Sequence, residues 1–238
     1  MDQESTGGMP SAPKNTSMAI PIAIVIAGLF IGGAIFISNG GVKKTAPPSG
    51  DGQATLAPIT AKDHIRGNPN APVKIVEYSD PECPYCKQFH TTLQQIMKDY
   101  GTQGNVALVY RHFPLDRSHP KSRTEINALE CAGDVGGPEK FWEYLDRLFE
   151  VTPSNNGLDL ALLPTIATDI GLDKTAFTAC QEQNKFTAVI QADYESGIAA
   201  GVRGTPYSVV IGRDGTQYPI NGADPYEAVR AVIDQALK

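Results

Sequence analysis

Val73-Lys74-Ile75-Val76-Glu77-Tyr78-Ser79-Asp80-Pro81-Glu82-Cys83-Pro84-Tyr85-Cys86 is the stretch on which the reading of this chain turns. Its first half is rich in β-branched residues, which suit a pleated, half-buried strand. Asp80-Pro81-Glu82 breaks that strand. A helix is predicted to follow, with Phe89, Leu93, Ile96 and Tyr100 at helical spacing and Gly101 as its stop. Val106 to Tyr110 reads as the next strand. Strand, helix and strand in that order predict a crossover unit with parallel strands. The two cysteines therefore fall where a strand hands over to a helix.

That position gives the pair its chemistry. Pro84 suits a first helical turn, where its missing N–H is no loss. Free N–H groups and the positive end of the helix dipole then face the Cys83 sulfur and favour its thiolate. Cys83 is expected to be the exposed attacking thiol and Cys86, one turn deeper, the resolving one, with exchange running through a mixed disulfide. Two blander readings compete. Half of a zinc site would need two more ligands, and neither Cys131 nor Cys180 brings a close second Cys or His. A plain structural disulfide across the short loop is the other. Glu77, on the strand leading to Cys83, is read as inward-facing; buried there, it would have a raised pKa and could take the proton of Cys86. An exposed edge glutamate is the alternative. Gly204-Thr205-Pro206 precedes a late strand, where a proline is compatible with a cis bond in a tight turn.

Working outward, the chain divides into unlike regions. Residues 1–17 are polar and read as a disordered tail. Met18 to Ser38 carries no charge and would rise about 31 Å as a helix, the thickness of a bilayer's hydrocarbon, so 18–38 is expected to be an uncleaved transmembrane anchor. Residues 39–57 are rich in Gly, Pro, Ser and Thr and read as a flexible linker. Residues 58–117 and 201–238 read as an α/β domain, and 118–200 as a helical insert. In the insert Phe141, Leu145 and Leu148 mark one helix behind Pro138, and Asp173 caps another that carries Phe177 and Cys180. Tyr207 to Ile211 and Gln217 to Ile220 are the late strands, joined through Asp214-Gly215. A last helix is predicted with Asp224 as its cap and Pro225 at its first position.

Composition narrows the function. The chain has 238 residues, 41% hydrophobic and 19% charged, ordinary values for a globular protein. A net charge of −6 without a Lys/Arg-rich run argues against a nucleic-acid partner. Four cysteines are too few for a disulfide scaffold, and Cys131 and Cys180 are read either as free buried thiols or, in an exported protein, as a structural disulfide. His112 and His119 are read as structural or rim residues rather than ligands, and no metal is expected. Trp142 and Tyr144 are read as packing the insert.

From about residue 57 to 238 the chain resembles the DsbA-like thiol–disulfide oxidoreductases. The resemblance rests on Val76-Glu77-Tyr78 through Cys83-Pro84-Tyr85-Cys86, Arg111-His112-Phe113-Pro114-Leu115, Lys140-Phe141-Trp142-Glu143 and Gly201-Val202-Arg203-Gly204-Thr205-Pro206. It implies a thioredoxin-like fold with an inserted helical domain. It also implies that Pro206 is the family's cis-proline, that Thr205 and Pro206 hold a substrate strand by its backbone, and that Glu77 is the family's buried acid. Pro-Tyr stands where the best-known oxidants have Pro-His, and is shared with glutaredoxins.

The function expected is a membrane-anchored oxidoreductase that introduces disulfides into exported proteins bearing free thiols. Its cofactor would be none beyond the redox-active Cys83–Cys86 disulfide, and the resemblance implies re-oxidation by a quinone-linked membrane partner. The domain is expected on the extracytoplasmic side, because a dithiol oxidant is useful in an oxidising compartment; Lys14 before the span against Lys43 and Lys44 after it leans slightly the other way. A reductase or isomerase, a glutaredoxin-like enzyme and a non-catalytic metal-binding module are the alternatives.

Overall fold

A computed structural model describes residues 56–238. The expected tail, the expected span at 18–38 and nearly all of the expected linker lie outside the described residues. Among the described residues no helix is long and apolar enough to cross a membrane.

Five strands form one sheet: β1 (His64–Arg66), β2 (Val73–Ser79), β3 (Val106–His112), β4 (Tyr207–Ile211) and β5 (Gln217–Asn221), in the spatial order β1-β3-β2-β4-β5. β2 and β3 are parallel, with Glu77 opposite Tyr110; every other pairing is antiparallel. The helix between β2 and β3, α1 (Pro84–Ile96), is the predicted crossover and runs on into a π-helical turn at Met97–Gly101. Between β3 and β4 come α2 (Ser122–Gly136), α3 (Pro138–Val151), α4 (Leu163–Asp169), α5 (Lys174–Gln183) and α6 (Thr187–Ala199). α7 (Tyr226–Ala236) closes the chain. This is a thioredoxin-like α/β fold with a helical insertion.

Strand alternation decides what each face meets. Val73 and Ile75 of β2, with Leu108 and Tyr110 of β3, pack on Phe89 and Leu93 of α1, Val229 and Ile233 of α7, and the interior of the insert. Cys83 and Cys86 belong to this same cluster. Val76, Tyr78 and Val109 turn the other way, toward Phe113, Tyr194 and Val202. Glu77 is two residues on from Ile75, so its side chain faces the cluster that contains the cysteines. Both Trp142 and Tyr144 are buried within the insert's side of that cluster.

Two elements differ from the sequence reading. β1 has three residues with polar ends and no alternation long enough to register, yet it pairs with the edge of β3. The last helix starts one residue later than expected. Pro225 is the N-cap, in extended backbone, and no Asp224 side chain caps the helix. Asp173 does cap α5, accepting from the Ala176 N–H at 2.7 Å. His112 ends β3 fully buried, and His119 is also buried, so neither is a rim residue.

Candidate active site

Cys83 is the N-cap of α1, with φ −78° and ψ 121°, and Pro84 opens the first turn. Both cysteines are free thiols, so the structure describes the dithiol form. The Cys83 thiol is lowered from its ordinary value of 9.0 to about 6. The largest cause is the hydrogen bond from Cys86. Burial opposes it, and the Thr205 side chain and the backbone N–H groups of Cys86 and Tyr85 reinforce it. Those two N–H groups are free because a helix's first turn has no acceptors for them.

Cys86 behaves in the opposite sense. Burial first, then the Cys83 sulfur and the charge of Glu77, hold its thiol well above the ordinary range. The Asp80 N–H points at the Cys86 sulfur at 3.5 Å. Of two cysteines three residues apart, one is thus easily ionised and the other strongly protonated, which is what exchange through a mixed disulfide requires.

One expectation needs correction. Cys83 is only 3% exposed, not an open thiol. The cause lies across the fold, where the Thr205 carbonyl oxygen stands 3.4 Å from its sulfur. The Thr205–Pro206 bond is cis. Tyr85, 63% exposed, carries the surface of the motif instead.

Glu77 lies on the central strand β2, 1% exposed, and neither carboxylate oxygen has a hydrogen-bond partner among the described residues. Burial pushes its carboxyl up from 4.5 to about 7. A carboxyl that titrates near neutrality, close enough to Cys86 to shift it electrostatically, can exchange a proton with that thiol.

Sequence reading missed a second set of acids. Asp80 and Glu82, read only as a strand breaker, are both fully buried. Asp80 accepts from the Glu82 N–H at 2.9 Å, the Leu115 N–H at 2.7 Å and His119 Nδ1 at 3.0 Å. Glu82 accepts from the N–H groups of Asn155, on its carbonyl, and Asn156, on its carboxylate. Glu125 of α2 is buried against Glu82, and desolvation, with Glu82 beside it, pushes its carboxyl up to about 10. The backbone of Ser154, Asn155 and Asn156 is left-handed at three successive non-glycine residues, a strained run held by those contacts. The only sequence signal for any of this was the adjacency of Glu82 to Cys83.

Far from the cysteine pair in sequence, Cys131 of α2 and Cys180 of α5 form a disulfide within the insert.

Residues 60–235 match the family model described as Thioredoxin, Thioredoxin_4. The chain belongs to this thioredoxin family. Within it, the fold with its helical insertion places the chain among the DsbA-like thiol–disulfide oxidoreductases. Pseudomonas aeruginosa DsbA2 is 26% identical, with a TM-score of 0.62, over 76% of this chain and 97% of that one. BdbD from Bacillus subtilis, in its oxidised form, shares the fold at 23% identity and a TM-score of 0.64, over 73% of this chain and 92% of that one. Curated relatives include the Na(+)/H(+) antiporter NhaA 1 of Salinispora arenicola, 33% identical over 176 residues, which are 74% of this chain and 25% of the antiporter. The antiporter of the same name from Mycolicibacterium gilvum is 35% identical over 141 residues, 59% of this chain and 21% of that protein. The DsbA-like chain thus spans about a quarter of the length of these relatives. What is shared is a domain-sized part, and nothing about ion transport follows from it.

Proposed function

We propose that this chain is a membrane-anchored oxidase of the DsbA-like class, which passes the Cys83–Cys86 disulfide to exported proteins with free thiols. The observation that carries the reading is the split between the two thiols, with Cys83 near 6 and Cys86 far above 9.0. A substrate thiolate attacks the Cys83 sulfur of the oxidised pair. The Cys83–Cys86 bond breaks, and Cys86 leaves with the electron pair and takes up a proton, for which Glu77 is the donor at hand. A second substrate thiolate then attacks the substrate sulfur of the mixed disulfide and expels Cys83 as a thiolate. The substrate is oxidised by two electrons and the cysteine pair reduced by two. Cys83 is the better leaving group because its thiolate is the more stable, which drives the second step toward product.

Thr205 and Pro206 are the substrate-binding residues in this reading, with the backbone beside the cis bond pairing with an extended substrate strand. No cofactor is needed beyond the disulfide itself. A quinone-linked membrane partner would re-oxidise the pair, and the span at 18–38 would hold the domain on the extracytoplasmic face. The antiporter relatives contribute no support to these finer points.

The discriminating experiment is the equilibrium redox potential of the pair in a glutathione buffer, with dithiol-peptide oxidation as the activity. Thioredoxin lies near about −270 mV and DsbA near about −120 mV, with thiol pKa values of about 7 and 3.5. A Cys83 value near 6 predicts a potential between those two, on the oxidising side of thioredoxin. A potential at or below that of thioredoxin would favour the reductase reading. Retention of peptide oxidation by Cys83→Ser would defeat the enzyme reading.

A further inference from the structure

His64, His112 and Glu130, far apart in the chain, meet at one carboxylate oxygen. His64 Nε2 is 2.8 Å and His112 Nε2 2.7 Å from Glu130 Oε1. The three donor atoms lie within 4.8 Å of one another, and among the described residues no other group of three His, Cys, Asp or Glu side chains converges in this way. His64 opens β1, His112 closes β3, and Glu130 projects from α2 in the helical insert.

Both imidazoles are fixed by the same aromatic side chain. His64 stacks on Phe141 with ring centres 3.5 Å apart and planes 3° from parallel, and His112 meets Phe141 edge-on at 6.0 Å. Their nitrogens are therefore aimed before anything binds, as a ligand set requires. The cluster is closed on one side by the fully buried His112 and open on the other. There His64 and Glu130 line a cavity of about 490 Å³, together with Lys62, Asp134 and Phe186.

We propose that His64 Nε2, His112 Nε2 and Glu130 Oε1 form a binding site for a divalent transition-metal ion of the zinc class, with water from the cavity as fourth ligand. Two imidazoles and one carboxylate suit zinc, cobalt or nickel better than calcium or magnesium, which take oxygen ligands. Three protein ligands with one open position is a known zinc arrangement. The donors stand at hydrogen-bond separation, and a tetrahedral ion needs them roughly 3.3 Å apart, given metal–ligand bonds of about 2.0–2.2 Å. Glu130 lines the cavity, and its rotation toward that opening would supply the space. On binding, the proton on each Nε2 is lost or passes to Nδ1. His112 Nδ1 is buried without a partner among the described residues, so its N–H would lack the acceptor that usually supports a metal-bound histidine. The site is accordingly expected to be micromolar, weaker than a closed structural zinc site. The ion would clip the insert to two strands of the sheet and stabilise their junction by mass action.

The test uses the full chain, stripped with chelator and with the cysteine pair oxidised so that neither thiol competes. Titration with zinc chloride by calorimetry is expected to give one ion per chain and an unfolding temperature that rises with zinc. Glu130→Gln and His64→Ala are each expected to weaken binding by at least about tenfold. Absence of binding, or binding that survives both substitutions, would overturn the proposal. Cobalt(II) gives a second readout that does not depend on variants. A tetrahedral nitrogen–oxygen spectrum in the unaltered protein supports the site, and an octahedral spectrum overturns it. If His64→Ala does not fold, His64→Gln, which keeps a donor toward Glu130, takes its place and is expected to lose zinc while retaining the fold.

Discussion

The sulfur of Cys83 lies 3.4 Å from the carbonyl oxygen of Thr205, a residue 122 positions later in the chain. The sheet brings them together. β2 leads into Cys83, β4 begins just after Pro206, and the two strands pair with Tyr78 opposite Tyr207. A thiol can donate to that carbonyl, whereas a thiolate has nothing to donate. The carbonyl contact taken alone favours the protonated form, but the Cys86 thiol first, then the Thr205 side chain and the N–H groups of Cys86 and Tyr85, favour the ionised one, and the thiol comes to about 6. The same carbonyl is an acceptor that a substrate strand could use once the thiol is engaged in a disulfide.

The titration of Cys83 is the first expected outcome. Thiolate absorbance and the rate of alkylation of the reduced protein by iodoacetamide are expected to share a midpoint near pH 6, with no second step from Cys86 below pH 9. A small reagent is needed because the sulfur is nearly covered. The folded-state value is depressed, so ionisation of Cys83 stabilises the reduced form. That contribution is complete above about pH 9, shrinks as pH falls through the window from 9 to 6, and is absent below it. Melting temperatures of the reduced and oxidised forms, compared across that window, check the sign. A midpoint near the ordinary 9.0 would remove the basis of the proposed function.

Glu77→Gln is expected to affect rate and stability in opposite directions. If Glu77 exchanges the Cys86 proton as proposed, its loss is expected to slow peptide oxidation by about 10²-fold or more near neutral pH. Here the folded-state value is raised, from 4.5 to about 7, so the wild-type carboxyl favours folding least above pH 7 and most below 4.5. The ionised form carries a penalty of roughly 3 kcal/mol, an upper bound for so buried a group. The glutamine variant is therefore expected to be more stable than wild type at pH 8 and little changed at pH 4. Denaturant unfolding at the two pH values separates these outcomes, and a variant equally active and equally stable at both would show that Glu77 does not titrate where stated.

The strand, the breaker and the crossover helix were legible in the sequence because each is a local pattern: β-branched residues in Val73 to Val76, a proline at 81, helical spacing from Phe89 to Tyr100. β1 was not legible, since three residues beginning with His64 carry no period. The covering of Cys83 was hidden for a different reason, namely that it depends on a loop joined to the cysteine only through the sheet. Acids pose the same difficulty. Glu82 and Glu125 look like surface residues in any window of sequence, and only the docking of α2 and of the Ser154–Asn156 turn takes them from water. Tertiary context supplies their burial, and with it the raised value of Glu125.

Asp80 is expected to be a structural support of the cysteine loop. Its carboxylate takes the N–H groups of Glu82 and Leu115 in a fully buried place. Asp80→Ala strands both donors, and an unsatisfied buried donor costs about 1–3 kcal/mol. The substitution is expected to lower unfolding free energy by at least about 2 kcal/mol and to loosen the Cys86 contact made by its own N–H. Denaturant melts measure the first effect and hydrogen exchange at residues 80–86 the second. Asp80→Asn keeps one acceptor oxygen and is expected to lose less, which distinguishes lost hydrogen bonds from lost charge.

The insert's own disulfide gives the last expectation. Cys131 and Cys180 are 49 residues apart and join α2 to α5 through the buried centre of the insert. Closing a loop of that length restricts the unfolded chain by about 4 kcal/mol in the chain-entropy account. Cys131→Ala with Cys180→Ala also removes two buried sulfurs, so the loss of stability is expected to reach or exceed that figure. Cys83 and Cys86 are in other elements, so the thiolate midpoint near pH 6 is expected to stay where it was. Denaturant unfolding of the double variant, paired with the thiolate titration, reads both. A midpoint that moved with the loss of this bond would mean that the insert sets the chemistry of the cysteine pair, whereas an unmoved one leaves that chemistry to the first turn of α1 and the Thr205 carbonyl.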